Sequence, residues 1–333
     1  MMDGGHLLRA ARLVVFAPMF FMPLSPLLAQ TKPPPAKLPV PATTINTVLA
    51  NQGAPDLAFG AFQRGFYLTA FTEAGKRAQQ SDPAAMTLLG QLYAQGLGVS
   101  RDDSKAAQWF KLAAGLGDRE AIFALAMFSF EGRAGPRNSA EAARLLTEAA
   151  RLGHPAANYD VGLLYLQGQE FKQDFARAAE YFRIAANAGN AEAQYALATM
   201  YKEGRGVAKD VRQATQLMAK AAIAGNLDAM VEFAIAQFNG DFTDKDESAA
   251  ARLFLSAARR GSPIAQNRLA RILMAGRGLP ADATEAIRWH IVAKQGGAGD
   301  PELDVFASKQ PQTVREAAEK AARKWLSTQV AAR

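Results

Sequence analysis

Six consecutive blocks of this chain repeat with a period of 36 residues and without insertion or deletion, and that regularity constrains the fold more than any other feature. Alanine recurs in three columns of the repeat, which begin at Ala85, Ala106 and Ala113. Glycine recurs in two columns: Gly96, Gly132, Gly168, Gly204, Gly240 and Gly276 form the first, and Gly117, Gly153, Gly189, Gly225, Gly261 and Gly297 form the second. Self-similarity at such a period is typical of a solenoid, in which each unit leaves a face that only its neighbour buries.

The N-terminus has the composition of a secretory signal. Arg9 and Arg12 precede an apolar run over residues 13–29, which ends at Ala29. A basic stretch followed by an apolar stretch and a small residue is typical of a cleaved export signal. The alternative is a membrane anchor, but the run contains three prolines and is shorter than the ~20 residues of a spanning helix. We expect residues 1–29 to be removed near Ala29, with no stable membrane insertion afterwards; retention of the segment as an anchor stays open.

The composition bounds the compartment and excludes one class of partner. The chain has no cysteine, so it has neither disulfides nor thiolate metal sites. An export signal without disulfides suits a bacterial periplasm. The formal net charge of +7 is spread along the chain and forms no basic stripe, which argues against nucleic acid as a partner. Residues 30–48 are rich in proline and predict a disordered, extended linker.

Each repeat predicts a pair of helices. In the first repeat they run from about Pro83 to Gln95 and from about Asp103 to Leu116, and the glycine columns follow as helix stops. The column that begins at Asp102 contains Asp or Asn in all six repeats, so we interpret it as the N-cap of the second helix. The alanine columns allow two helix axes to approach closely, since larger side chains there would push the repeats apart.

The fourth repeat carries a family resemblance. It reads Ala193-Gln194-Tyr195-x-Leu197-Ala198-x-x-Tyr201-x-x-Gly204-x-Gly206-Val207-x-x-Asp210-x-x-x-Ala214 and closes with Ala221-Ala222-x-x-Gly225. This pattern resembles the Sel1-like repeat, a tetratricopeptide-related helix pair, over about residues 83–297. The resemblance implies an all-α fold, a right-handed αα-superhelix of six full repeats with degenerate repeats at both ends. Repeats two, three and five depart from it at the second turn glycine, where they contain Ala134, Glu170 and Phe242.

The repeat phase extends beyond the six blocks and gives the domain organisation. Residues 49–82 predict a shortened N-terminal repeat with its turn at Gly65, and residues 83–300 contain the six repeats. Residues 301–333 predict C-terminal capping helices. There Val305 falls in the column of core leucines, and Thr313 to Glu316 has the pattern of a capping box. Atypical ends of this kind close the core of a solenoid.

Candidate catalytic residues are scarce. Of three histidines, one lies in the signal, His154 follows a helix-stop glycine, and His290 replaces a phenylalanine of its column. We interpret both as structural residues instead of bases or ligands. No nucleophile motif, zinc motif or phosphate loop is present in the sequence. The sequence therefore predicts no catalytic residue, no metal and no cofactor.

Variable positions on the first helices are the candidate partner-binding residues. Columns that begin at residues 87, 91 and 94 form one stripe at i, i+4 and i+7, and first helices line the concave face of such solenoids. From these columns we select Phe123, Met127, Phe130, Tyr159, Leu163, Leu166, Tyr195, Lys202, Phe238 and Arg271. The middle of the stripe is apolar and aromatic, which suits a bound peptide or helix. Tyr159 and Tyr195 have a competing interpretation as inter-helix core, because helical aromatic stripes are usually buried.

Together these features predict a non-enzymatic scaffold, adaptor or regulator of the bacterial cell envelope that binds another protein or peptide on the concave face. The alternative is a periplasmic hydrolase acting on cell-wall peptides or β-lactams. The resemblance implies this alternative because some members of the family bind penicillin. Those members are rich in cysteine, however, and this chain has none. A third possibility is self-assembly through the repeat ends. The oligomeric state stays open.

Overall fold

The computed structural model of the chain describes residues 56–331, so the predicted signal and the predicted linker lie outside the described residues. Within that range the backbone forms sixteen α-helices and no β-strand. The helices are α1 (Leu57–Gln63), α2 (Tyr67–Ala78), α3 (Pro83–Gln95), α4 (Asp103–Gly115), α5 (Arg119–Glu131), α6 (Ser139–Arg151), α7 (Pro155–Gln167), α8 (Phe175–Asn187), α9 (Ala191–Glu203), α10 (Val211–Ile223), α11 (Leu227–Asn239), α12 (Glu247–Arg259), α13 (Pro263–Ala275), α14 (Ala283–Gln295), α15 (Pro301–Ser308) and α16 (Gln312–Ala331).

Consecutive helices pack as pairs, and the described chain divides into two compact units that meet between Ala149 and Ala150, inside α6. The first unit contains the N-terminal helix pair and repeats one and two up to Ala149, and the second contains the remaining repeats and the C-terminal helices. The all-α solenoid class predicted from the 36-residue period is confirmed.

Local side chains decide where the helices of the six repeats begin. The Asp102 carboxylate accepts a hydrogen bond from the backbone N–H of Lys105 at 2.9 Å, which satisfies one of the free donors at the start of α4. The predicted N-cap column is confirmed in all six repeats, since Asn138, Asp174, Asp210, Asp246 and Asp282 make the same bond. First helices are capped by Asp82, Asp118, His154, Asn190, Asn226 and Ser262.

The turns between helices depend on left-handed residues. Both predicted glycine columns have positive φ throughout, as helix stops require. The second turn glycine has an additional constraint, because a Cβ at Gly206 would lie 2.3 Å from the Phe175 carbonyl oxygen at the start of α8. In repeat five the same position is Phe242, which keeps φ of 58° and is 59% exposed. Ser81 likewise adopts φ of 61° in a glycine column.

Within a repeat, a small residue on the first helix faces a bulky one on the second. A Cβ added to Gly90 would lie 2.5 Å from the Phe110 ring, and one added to Gly162 would lie 2.6 Å from the Phe182 ring. In repeat four the pair is Ala198 and Met218, which share one core cluster. Repeat five combines Ala234 with Phe254 in one core cluster. The contact therefore leaves no room for a Cβ only where glycine meets phenylalanine, at Gly90 and Gly162.

Neighbouring repeats in the second unit are joined by buried amides. Gln194 Nε2 donates to the Ala186 carbonyl oxygen at 3.1 Å, and Gln266 Nε2 donates to the Ala258 carbonyl oxygen at 3.1 Å. Asn158 occupies the equivalent position and donates to the carbonyl oxygen of Ala150 at 3.2 Å. Each of these carbonyls, at the end of the preceding second helix, also accepts from the backbone N–H of the helix-stop glycine, so the side-chain amide is its second donor.

At the C-terminal end, residues of α16 follow the 36-residue pattern and the buried residue of α15 does not. On α16, Ala322 and Trp325 fall in the columns of Ala286 and Trp289, and the two tryptophan rings meet edge to face at 5.3 Å. On the shortened α15, the prediction for Val305 was wrong, because Val305 is 53% exposed and Leu303 is the buried residue.

The predicted capping box at the start of α16 was also wrong. The helix begins at Gln312, so Thr313 lies inside the first turn and is not its N-cap. The Glu316 carboxylate instead accepts a hydrogen bond from the Gln312 side-chain amide at 2.8 Å.

The complementarity of Gly162 and Phe182 gives a stability prediction. Gly162→Ala should lower the free energy of unfolding by about 1–2 kcal/mol, because overpacking costs about 1–3 kcal/mol and alanine's helix preference offsets only about 0.5–1 kcal/mol. Adding Phe182→Met reproduces the Ala198–Met218 pair and should recover most of that loss. Denaturant unfolding followed by circular dichroism measures both. A Gly162→Ala protein as stable as the wild type would contradict the proposed contact.

Candidate functional site

Burial along the first helices shows which of their flanks is the most accessible to solvent. On α11, Asp228 is exposed, Glu232 and Ile235 are half-buried, and Asn239 is exposed, at spacings of i, i+4, i+7 and i+11. We call these positions, which are columns 84, 88, 91 and 95 of the first repeat and their equivalents, the free stripe. A stripe at that spacing lies on one face of a helix. These residues therefore form the accessible flank of α11.

In the first unit the predicted residues are partly accessible. Phe123, Met127 and Phe130 on α5 are all half-buried, and Met127 belongs to the free stripe. The Arg137 guanidinium carbon lies 4.5 Å from the centroid of the Phe130 ring, within range of a cation–π contact. This side of α5 is apolar with a cationic edge.

In the second unit the predicted residues divide by depth. Tyr159 and Leu166 on α7 are buried, with 5% and 9% exposure, and the Tyr159 ring lies 5.6 Å from the ring of Phe182. That placement agrees with the competing interpretation of Tyr159 as core. Leu163 is half-buried on the free stripe, and Phe238 is half-buried beneath the Arg277 guanidinium group. The binding role of these residues stays a prediction.

Tyr195 and Lys202, both on α9, converge on one carboxylate of the next repeat. The Tyr195 hydroxyl donates to Glu232 Oε1 at 2.8 Å, and Lys202 Nζ donates to Glu232 Oε2 at 2.8 Å. Burial and the neighbouring Glu232 carboxylate raise the pKa of the Tyr195 hydroxyl, which stays protonated and a donor. The three side chains join the free flanks of α9 and α11.

Arg271 is committed to contacts within the chain. Its guanidinium group pairs with the buried Asp300, at 2.5 Å from Nε to Oδ2, and with Glu302 at 2.9 Å. Asn267 donates to the same Asp300 carboxylate at 3.0 Å. These bonds line a cleft of ≈ 460 Å³ between α13 and the start of α15, in which Arg268 is the exposed cation. Arg271 therefore positions α15 in addition to its predicted role in binding.

Sequence reasoning missed a group of acidic residues on the free stripe of the second unit. Asp160 on α7, Glu192 on α9, and Asp228 and Glu232 on α11 occupy columns 84 and 88, whereas the selected residues came from columns 87, 91 and 94. One signal could have found them. In repeats three to six, columns 84 and 88 contain charged residues, and columns 85, 86, 89 and 90 contain none.

The acidic residues differ in how they are compensated. Asp160 is half-buried, and desolvation raises the pKa of its carboxyl to about 7. Burial also raises the pKa of Glu192, although Asn226 donates to its carboxylate at 2.6 Å, and the nearby Asp228 adds to the rise. These shifts are typical of acids that share a partly desolvated surface.

The histidines are structural in the described part of the chain. His154 caps α7 through Nδ1, which accepts from the backbone N–H of Ala157 at 3.1 Å. His290 Nε2 lies 2.8 Å from Asp304 Oδ1, an arrangement that occurs in acid–base pairs. Its other nitrogen, Nδ1, is buried and without a hydrogen-bond partner among the described residues. The imidazole is buried, so the accessible part of this pair is the Asp304 carboxylate.

The described residues contain no group of three or more His, Cys, Asp or Glu side chains placed to hold a metal ion. No helix between residues 56 and 331 combines the length and the apolar character needed to cross a membrane.

Comparisons with known proteins agree with the repeat architecture. A family model described as Sel1 repeat matches six consecutive segments, residues 83–118, 119–154, 155–190, 191–226, 227–262 and 263–297. The Sel1 repeat protein from Oxalobacter formigenes is similar at a TM-score of 0.64 and 29% identity, over 72% of this chain and 98% of that one. The protein c5321, a protective antigen of uropathogenic Escherichia coli with an SLR fold, is similar at 0.55 and 25%, over 78% and 64%. No curated protein matches the chain.

The raised pKa of Asp160 gives a pH-dependent prediction. The folded chain keeps this proton up to about pH 7, whereas the unfolded chain releases it near the ordinary value of 3.8. Stability from this group is therefore greatest in acid and falls as the pH rises from about 4 to about 7. Asp160→Asn should raise the free energy of unfolding by roughly 1–2 kcal/mol at pH 8 and by less at pH 4.5. Equal gains at both pH values, measured by thermal unfolding, would contradict this assignment.

Proposed function

The chain belongs to the Sel1 repeat family, whose members typically mediate protein–protein interactions, and from that premise we propose that it is a non-enzymatic scaffold of the bacterial cell envelope. Its partner binds along the free stripe of the first helices. One observation supports this proposal above the others: the packing of the repeats leaves one flank of the first helices at least partly exposed at every position except Leu88 and Ala196.

The rigidity of the fold supports the same function. Buried amide bonds and capped helices hold neighbouring repeats at fixed positions, so the free stripe is organised before a partner arrives. Preorganised surfaces lose little conformational entropy on binding. In the first unit, Met127 and Phe130 offer apolar area beside Arg137, a composition that suits the core of a protein interface.

The location in the envelope is supported by the sequence of the N-terminus. Residues 1–29 have the order of basic, apolar and small residues that export machinery reads, and a chain without cysteine is compatible with an oxidising compartment. The scaffold would act there as an adaptor, an assembly factor or a regulator.

The binding surface in the first unit can be tested by capture. Met127→Ala combined with Phe130→Ala should reduce the recovery of the partner at least about tenfold from a cross-linked envelope extract, because interface energy concentrates in a few apolar residues. Mass spectrometry of the retained proteins gives the measurement. Leu112→Ala with Leu116→Ala removes two leucines that are more exposed, at the second helix of repeat one, and serves as the control. Identical capture by both double variants, with circular dichroism unchanged, would rule out this surface.

The location can be tested by fractionation. The full chain should be recovered from the periplasm in a form shortened at about Ala29, whereas a variant that lacks residues 1–29 should stay in the cytoplasm. Intact-mass measurement of the periplasmic form identifies the cleavage site. Recovery of an unshortened chain from the membrane fraction would support the anchor instead.

A further inference from the structure

The second unit presents acidic side chains where the rest of the chain is basic. The chain contains 38 Lys and Arg against 31 Asp and Glu, yet the free stripes of α7, α9 and α11 carry acids and no base. Their acids are Asp160, Glu192, Glu203, Asp228 and Glu232. We call the four of these in columns 84 and 88, which are Asp160, Glu192, Asp228 and Glu232, the acidic face.

Little within the chain neutralises the acidic face. Lys202 pairs with Glu232 at 2.8 Å, and a neutral amide, that of Asn226, bonds to Glu192. Asp160 and Asp228 have no hydrogen bond or ion pair to another side chain in the described part of the chain. Asp160 is the more informative of the two, because protein surrounds most of its carboxyl group and no cation offsets the loss of water.

Aromatic and apolar groups accompany these charges. Tyr195 is half-buried, and its hydroxyl donates a hydrogen bond to one oxygen of the Glu232 carboxylate. Leu163 and Ile235 are half-buried on the same stripes. A surface that combines uncompensated carboxylates with partly buried apolar groups matches the long side chains of lysine and arginine, which have an apolar stem and a charged end.

We propose that the acidic face binds a segment of the partner protein that carries lysine or arginine at intervals along its length. This inference rests on the proposed function, since it names the chemistry of the protein that the scaffold holds. Charge complementarity selects the occupant: acids lie across three successive first helices, and cations of the partner replace the compensation that the chain lacks.

The spacing of the helices limits the pattern of the segment. Tyr195 and Lys202 of α9 bond directly to Glu232 of α11, and helices in contact lie about 8–10 Å apart. An extended chain advances about 3.3–3.6 Å per residue. A cation at about every third residue of an extended segment would therefore meet α7, α9 and α11 in turn. The face ends at α13, where Arg268 occupies the equivalent column with the opposite charge. Such a boundary fixes the register of the bound segment.

A defined peptide tests this inference. The probe is a fluorescent peptide with four Lys-Gly-Ser units, and its Glu-Gly-Ser counterpart serves as the negative probe. Fluorescence anisotropy at physiological salt should show binding of the first peptide and none of the second. Asp160→Asn combined with Asp228→Asn should weaken the binding at least about tenfold, because both carboxylates lack an internal cation.

The matched control removes the same charge elsewhere. Glu180→Gln with Asp244→Asn neutralises two exposed carboxylates outside the acidic face and should change the affinity by less than about twofold. Equal weakening by both double variants would show general attraction to the protein and overturn the inference. Displacement of the peptide by millimolar calcium or magnesium at a saturable site would also overturn it, in favour of a metal site.

The same variants separate this inference from the proposed function. Suppose that the Asp160→Asn, Asp228→Asn variant captures the envelope partner as well as the wild type does, and that the lysine peptide does not bind the wild type. The proposed binding of a basic segment by the acidic face is then wrong, while the scaffold function stands. If no protein is captured by the wild type, the scaffold itself fails whatever the peptide does.

Discussion

The fold depends on the close contact between a small residue on each first helix and a bulky residue on the second. Gly162 lies against the Phe182 ring with no room for a Cβ, and Ala198 faces the thinner side chain of Met218. This contact sets the distance between the paired helices, and through it the positions of the amides that join one repeat to the next. The flank of each first helix that stays accessible is therefore determined by how its opposite flank packs against the second helix.

Function and stability make opposite demands on the free flank. In the second unit, Asp160 occupies a position that an apolar residue would fill at lower cost, since the carboxyl group is desolvated without a cation. Burial also raises the pKa of Glu192, and the like charge of Asp228 adds to that rise. Destabilised groups of this kind are concentrated where proteins bind other molecules. The acidic face is thus the part of the second unit that packing alone does not explain.

Much of the fold could be predicted because its determinants are local. Asp102 and its equivalents cap helices by bonding three residues ahead, and the glycine columns end helices through their own φ angles. The free stripe could not be predicted, because the accessible column depends on how repeats stack in three dimensions. For the same reason Val305 was misplaced: Arg271 and Asn267 fix the start of α15 through Asp300, and the shortened helix then buries Leu303.

The bonds between repeats have a consequence for how the chain folds and unfolds. They connect residues close in sequence: Arg133 reaches Ala94 across 39 positions, Tyr195 reaches Glu232 across 37, and Arg271 reaches Asp300 across 29. Contacts of such uniform, short range give a low contact order, which favours rapid folding from several starting points. Unfolding should then proceed inward from the two ends of the repeat array. The Trp289–Trp325 contact holds α16 against α14 and should slow unfolding from the C-terminal end.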